Sequence, residues 1–411
     1  MSQAPASTSK STPGFIEFVT LIALMMGLTA FSIDNLLPAF GSIREHFALA
    51  NENDVQLTVY AYLLGIGAAQ IVYGPWSDVV GRRPVLMVGL AIYLVAGLVA
   101  LVTDSFSTLI LARVIQGAGA GAARVLAVAI VRDRFEGREM ARIMSLTMMV
   151  FLAVPILAPA AGSLILALGS WRLIFVAMVA LTLVLALWFG LRMPETLHPE
   201  YRMSFSPRAI LAGMTLCITT RRSLGYATAM GLMMGCLMTY VGSASQVFQT
   251  DVYQLGTLFP VVFAGVAVVM ALASFLNATL VRRVGMRRLS HGGLLGFLLA
   301  SVGLVAAGLG FEGKPPFWMF CALVALGQFL FALTVPNFNS IAMEPLGSVA
   351  GTASSFIGCY TTLMAALLAL AAGRAFDGTV LPLSLTYLTL SVLAVLATLW
   401  AEHGRLFGHQ P

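Results

Sequence analysis

The sequence predicts an all-α polytopic membrane protein, with twelve transmembrane helices divided into two six-helix bundles. Three observations predict it. The 411-residue chain is 59% hydrophobic and only 10% charged, with a mean hydropathy of +0.93, which is too apolar for a water-soluble surface. Its apolar residues gather into twelve separate runs, each near or above the ~20 residues a helix needs to cross ~30 Å of hydrocarbon. One longer polar stretch near the middle, Pro194 to Arg222, divides the runs six and six, and a loop pattern in the first half returns in the second.

Residues 1–14 are rich in Ser, Thr, Ala and Pro and predict a disordered tail. The apolar runs then cover 15–40, 54–76, 84–103, 107–131, 142–167, 171–193, 223–247, 257–281, 289–311, 316–341, 347–373 and 379–401. The first bundle is thus expected over 15–193 and the second over 223–403. Between them, 194–222 reads as a linker with Pro-Glu-Thr and Ser-Pro turn signals, and 404–411 forms a C-terminal tail. The first run exceeds the ~7 to 15 residues of a signal-peptide core and lacks a small-residue cleavage site, so it is expected to stay as a helix. Cys217, Cys236, Cys321 and Cys359 are scattered through apolar sequence without a CxxC pair, and read as small hydrophobes.

Orientation follows from Lys and Arg, which are held on the cytoplasmic side of short loops. With the N terminus inside, 17 of the 23 basic residues fall inside, including Lys10, Arg82, Arg83, Arg132, Arg134, Arg282, Arg283, Arg287 and Arg288. Only Arg44, Arg172, Lys314 and Arg374 fall outside, which predicts that both termini are cytoplasmic. The net charge of +6 is thereby explained by topology, with no nucleic-acid partner.

Asp34 is the one acidic side chain set well inside an apolar run. A carboxylate there costs about 2.5 to 3.5 kcal/mol on insertion scales, so it should face a protein interior or a wet cavity and have a partner. The functional reading is a proton carrier; the plainer one is a helix-packing acid paired with a basic neighbour. Asp34 lies six residues before the outer end of its run, and Arg113 six after the outer start of the fourth. Each is thus about 9 Å deep, so the two could pair. Arg124 sits three helical turns beyond Arg113, within about 20° of the same face.

Between the second and third runs the chain reads Gly74-Pro75-Trp76-Ser77-Asp78-Val79-Val80-Gly81-Arg82-Arg83-Pro84. Asp78 is placed to cap a helix end and pair with basic groups, Gly81 permits a tight turn, and the Arg pair anchors the loop on the cytoplasmic side. Gly285-Met286-Arg287-Arg288 repeats part of this 204 residues later, which suggests duplication, with chance as the alternative for so short a match. The aligned position for Asp78 is occupied by Arg282.

The first of these loops resembles the signature of the major facilitator superfamily, G-x-x-x-D-x-x-G-R-R/K. Arg113-Val114-Ile115-Gln116-Gly117 is similar to the fourth-helix signature of drug-proton antiporters, and Val154-Pro155 to Gly162 to their fifth-helix Pro/Gly signature. Ser32 to Pro38 looks like their first-helix acidic motif. Pro336-Asn337, Ala342-Met343-Glu344-Pro345 and Ala350 to Ser355 resemble the branch conferring bicyclomycin and chloramphenicol resistance. The resemblance implies two bundles around a central cavity in a bacterial inner membrane, with Gly74, Asp78, Gly81, Arg82 and Arg83 latching the halves in one conformation. It also implies that the helices of Asp34 and Arg113 lie side by side at that cavity. Arg124 has no counterpart in the pattern, the fifth-helix run carries fewer glycines than the fuller form, and the latch role is carried only onto the first half.

The expected function is therefore proton-coupled efflux of small amphiphilic drugs, neutral or weakly charged, with Asp34 and Arg113 carrying the coupling. Alternatives on the same scaffold are a metabolite exporter, a proton symporter or a transport-incompetent sensor. Asn35, Tyr62, Gln116, Tyr240, Gln246, Gln328, Asn337 and Tyr360 are embedded polar or amphipathic groups that could orient a ligand, or could equally be helix-to-helix hydrogen bonds. The 21 methionines suit an adaptable pocket. Gly117, Gly119 and Gly121 read as close-packing positions. His46, His198, His291, His403 and His409 all sit in loops or at run ends, and the sequence has no HExxH and no P-loop, which argues against an enzyme, a metal and ATP as the energy source. No cofactor is expected, the partners being substrate, protons and lipid, with the chain as a monomer.

Overall fold

A computed structural model describes residues 13–202 and 206–407. Residues 1–12 of the expected first tail, 203–205 of the linker and 408–411 of the last tail lie outside the described residues. Among the described residues, 12 helices are long and apolar enough to cross a membrane, and no strand occurs.

The first half comprises α1 (Phe15–Asp34), the short α2 (Phe40–His46), α3 (Leu57–Val80), α4 (Arg82–Val102), α5 (Phe106–Arg134), α6 (Gly137–Ala167) and α7 (Arg172–Arg192). The second comprises α9 (Arg221–Ala244), α10 (Phe259–Val284), α11 (Met286–Gly310), α12 (Phe317–Met343), α13 (Ala350–Arg374) and α14 (Leu381–Ala401). Between them, the expected polar linker carries a further helix, α8 (Pro207–Thr219). Its Ile210, Gly213, Met214 and Cys217 turn inward at helical spacing while Leu211, Leu216 and Ile218 stay exposed. The halves meet where α3 packs on α13 and α6 on α10. The outer wall is apolar, with Leu157, Leu164, Leu299 and Trp318 exposed, as a lipid-facing surface requires.

The first span differs from the expected 15–40. It runs from Phe15 to His46 and breaks in the middle, α1 ending at Asp34 before a 3-10 turn over Leu37–Ala39. Pro38 is the physical reason, since it has no N–H to give the Asp34 carbonyl four residues back and its ring crowds that carbonyl.

A second difference concerns the expected loop over Gly74 to Pro84. Helix α3 runs on through Pro75 to Val80 and α4 begins at Arg82, so Gly81 alone is the turn, at φ 115°. Gly285 does the same between α10 and α11, at φ 87°. A left-handed single-residue link between two helices needs glycine, and the same device recurring after 204 residues fits an internal repeat.

Helix α5 is gripped between α3 and α4 through its glycines. A side chain on Gly117 would enter the Tyr62 backbone, and one on Gly119 would lie 2.6 Å from the Tyr93 nitrogen. In lipid, where apolar burial gives no advantage to helix association, such backbone contact is what van der Waals packing has to offer.

Candidate functional site

The turn at Gly81 organises the basic end of the first half. Arg82 is buried and donates to Asp78 at 2.6 Å, Ser77 at 2.7 Å and Asp133 at 2.8 Å. Glu195, from the linker's Pro-Glu-Thr turn, accepts the backbone N–H groups of Arg82 and Arg83 at 2.9 and 3.1 Å, and those of Thr196 and Leu197 at 2.9 and 3.0 Å. It therefore satisfies donors that the start of α4 leaves free. The Arg83 guanidinium reaches the Gly190 carbonyl at 2.6 Å. Asp78, Arg82 and Arg83 thus tie first-half elements to one another. Of the five expected latch residues, Gly74 is the one that meets the other half: a side chain there would collide with the Ser355 hydroxyl of α13.

Arg113 is fully buried, but the expected ion pair with Asp34 is not formed. Its guanidinium donates to the Ser32 carbonyl at 2.8 Å, the Thr58 carbonyl at 2.8 Å and Gln116 Oε1 at 2.7 Å, and lies 4.3 Å over the Tyr62 ring. Because α1 stops at Asp34, carbonyls of its last turn lack helical partners, and a cation is the natural cap for that end. Arg113 answers the backbone of α1 rather than its carboxylate. Asp34 is 5% exposed and has no ion pair or hydrogen bond among the described residues.

At the end opposite the basic loops, polar side chains cross between the halves. Gln56 donates to Gln246, which donates in turn to Asn53 at 2.8 Å; Asn53 donates to the Phe376 carbonyl at 2.8 Å. Tyr60 donates to Gln56 at 2.7 Å, and Gln249 reaches the Pro38 carbonyl at 3.3 Å. Gln246 lies in a π-helical turn over Ser245–Thr250, a wider coil that aims its side chain across the seam.

Toward the basic end the halves enclose a cavity of about 640 Å³, well inside the size range of small-molecule sites. Its mouth lies at that end, because Asp78, Arg132, Ser340 and Gly351 belong to terminal turns of α3, α5, α12 and α13. Met26, Met148, Met230 and Met234 supply flexible apolar walls, and Gln70, Arg124 and Asn339 supply polar groups.

None of the eight residues expected to orient a ligand lines this cavity. Gln246 belongs to the opposite closure. Gln328 donates to Tyr387 at 2.7 Å, Asn337 to Asn277 at 2.7 Å, and Tyr360 pairs with Thr228 at 3.0 Å, so these three join helices within the second half. Gln116 and Tyr62 hold Arg113. Tyr240 stacks on Phe263, and Asn35 is buried where Gly162 of α6 approaches its backbone. Sequence reading missed Gln70, Asn53, Gln56, Asp133 and Glu195. Glu195 alone carried a local signal, standing in a turn just before a polar stretch; the others are ordinary polar residues until the helices are assembled.

Two packed half-bundles with a cavity between them, open at one end and closed at the other, define a membrane carrier. The major facilitator superfamily model matches residues 22–369, and the chain belongs to that family, whose members are transporters rather than enzymes. The chain is 30% identical over 397 residues to a bicyclomycin resistance protein homolog of Haemophilus influenzae, covering 94% of this chain and 96% of that one. It is 28% identical to multidrug resistance protein D of Escherichia coli, covering 84% and 85%. Among solved structures, a partially occluded inward-open conformation of the xylose transporter XylE from E. coli shares the fold with a TM-score of 0.72 at 14% identity, over 94% of this chain and 97% of that one.

Proposed function

We propose that this chain exports small amphiphilic drugs across a bacterial inner membrane in exchange for protons, by alternating access. The observation that carries the proposal is a cavity open at the basic end and closed at the other, with Asp34 at the end of α1, on the closed side. The names of the relatives, bicyclomycin and multidrug resistance proteins aligned over most of both chains, support the drug-export part. The charge bias of the loops supports placing the basic end and both termini in the cytoplasm, so that the cavity opens inward.

In this cycle residues 15–193 and 223–403 rock as two units joined by 194–222, around a site near the midplane. Asp34 is not among the residues lining the cavity in the present conformation. Rocking that parts Gln56 from Gln246 would bring it to water at the far end, where it would take up a proton as cargo leaves. Arg113 serves the coupling indirectly, by fixing the turn of α1 on which Asp34 stands.

The test is susceptibility of an efflux-deficient bacterial host to chloramphenicol and bicyclomycin, paired with pH-gradient-driven efflux in vesicles. Asp34→Asn should remove both resistance and driven efflux while the protein still reaches the membrane folded. Undiminished proton-driven export by that variant would rule out Asp34 as the carrier.

A further inference from the structure

The cavity holds a cation that no described side chain pairs with. Arg124 of α5 lines it, half-buried, with no hydrogen bond or ion pair among the described residues. Arg113, seven residues from the start of the same helix, is by contrast met by three acceptors and an aromatic face. Arg124 stands ten residues before the end of α5, about 15 Å in, where an unpaired guanidinium is costly unless water or a ligand compensates it.

The neighbouring polar group has the same sense. Helices α3 and α5 run parallel, and a side chain on Gly121 would lie 3.3 Å from the Ile66 carbonyl and 3.4 Å from Ala69. Gln70 lies one residue past Ala69 and Arg124 three past Gly121, so they stand near one level of the cavity. Gln70 is 3% exposed, and its amide nitrogen has no acceptor. Two residues lining the same space thus carry donors without acceptors. The one carboxylate in the lining, Asp78, is held by Arg82 at 2.6 Å, while Arg132 at the mouth is exposed and unpaired among the described residues. Low-dielectric walls carrying one sign of free charge concentrate ligands of the other.

We infer that Arg124 and Gln70 form an acceptor-binding subsite, and that the preferred cargo is an amphiphilic anion: a carboxylate, sulfonate or phosphate ester on an apolar body packed by Met26, Met148, Met230 and Met234. The inference rests on the carrier reading of the cavity and revises the neutral or weakly charged cargo expected from the sequence.

Binding to the full chain purified in detergent tests it, with three matched probes: 2-naphthoate, 2-naphthamide and (2-naphthylmethyl)trimethylammonium. The wild type should prefer the carboxylate, and Arg124→Gln should weaken it at least tenfold while leaving the amide within about twofold. Arg124→Lys, which keeps the charge, should retain most of the preference. In the wild-type protein, where folding is not in question, 2-naphthoate should shield Arg124 from phenylglyoxal modification, and the amide should shield it less. Equal shielding by all three probes, equal weakening of all three by Arg124→Gln, or a preference for the cation would overturn the subsite. Anion binding through Arg124 without any drug flux would leave the subsite standing and sink the exporter reading; flux of neutral drugs indifferent to Arg124→Gln would do the reverse.

Discussion

Arg113 shows how a buried charge can be stable without a counter-charge. Its planar fork reaches carbonyls on two other helices and the amide of Gln116, each contact charge-assisted and shielded from water. Arg113→Gln should therefore lower thermal stability in detergent by about 3 kcal/mol, since the stranded carbonyls lose their donor in an apolar interior. Arg113→Lys should recover less than half of that, because an ammonium cannot span the same acceptors. A melting temperature unchanged in both variants would mean that the contacts are dispensable. The embedded charges at 34, 113 and 124 were legible from the sequence, because each interrupts an apolar run. Which of them find partners was not, since a pairing across helices depends on rotation and on where α1 breaks.

At the scale of elements, the junction between α3 and α4 is made by one glycine and one distant carboxylate. Gly81 turns the chain, and Glu195 covers the N–H groups that the turn exposes. Glu195→Ala should cost about 1 to 2 kcal/mol by loss of this cap, read as a lower melting temperature with drug binding intact once folded. The α5 glycines predict a sharper effect. Gly117→Ala places a methyl against the Tyr62 backbone, which cannot yield as a side chain would, so membrane-inserted yield should fall steeply. A variant that accumulates and melts like the wild type would show that α3 and α5 can separate at no cost. The glycine spacing in the sequence announced close packing, but the helices it serves became visible only with the fold.

Across the whole molecule, the proposed alternating access requires that the polar contacts closing one end give way when the other end closes. The closure is built from amides, Asn53, Gln56 and Gln246, whose hydrogen bonds are each worth about 0.6 to 2 kcal/mol between membrane helices. Gln246→Leu should therefore shift the population toward opening at that end. Spin labels at Glu45 and Asp377, both exposed there on opposite halves, should move apart in that variant relative to the wild type. A distance distribution that does not change would show that apolar packing, not the amide cluster, holds the closure.

The sequence alone determined the class of molecule, the twelve spans, the charge asymmetry of the loops and the family, because each depends on composition along a line: hydropathy over a helix length, basic residues at loop ends, glycine and aspartate at fixed spacing. The tertiary structure decided that the cavity opens at the basic end, that Asp34 stands unpaired among the described residues on the closed side, and that Arg124 and Gln70 line a cavity while eight other polar residues do not. Those outcomes depend on helix rotation and on the register between α3 and α5, and a polar residue looks the same in the sequence whether its helix turns it toward a neighbour or toward the cavity.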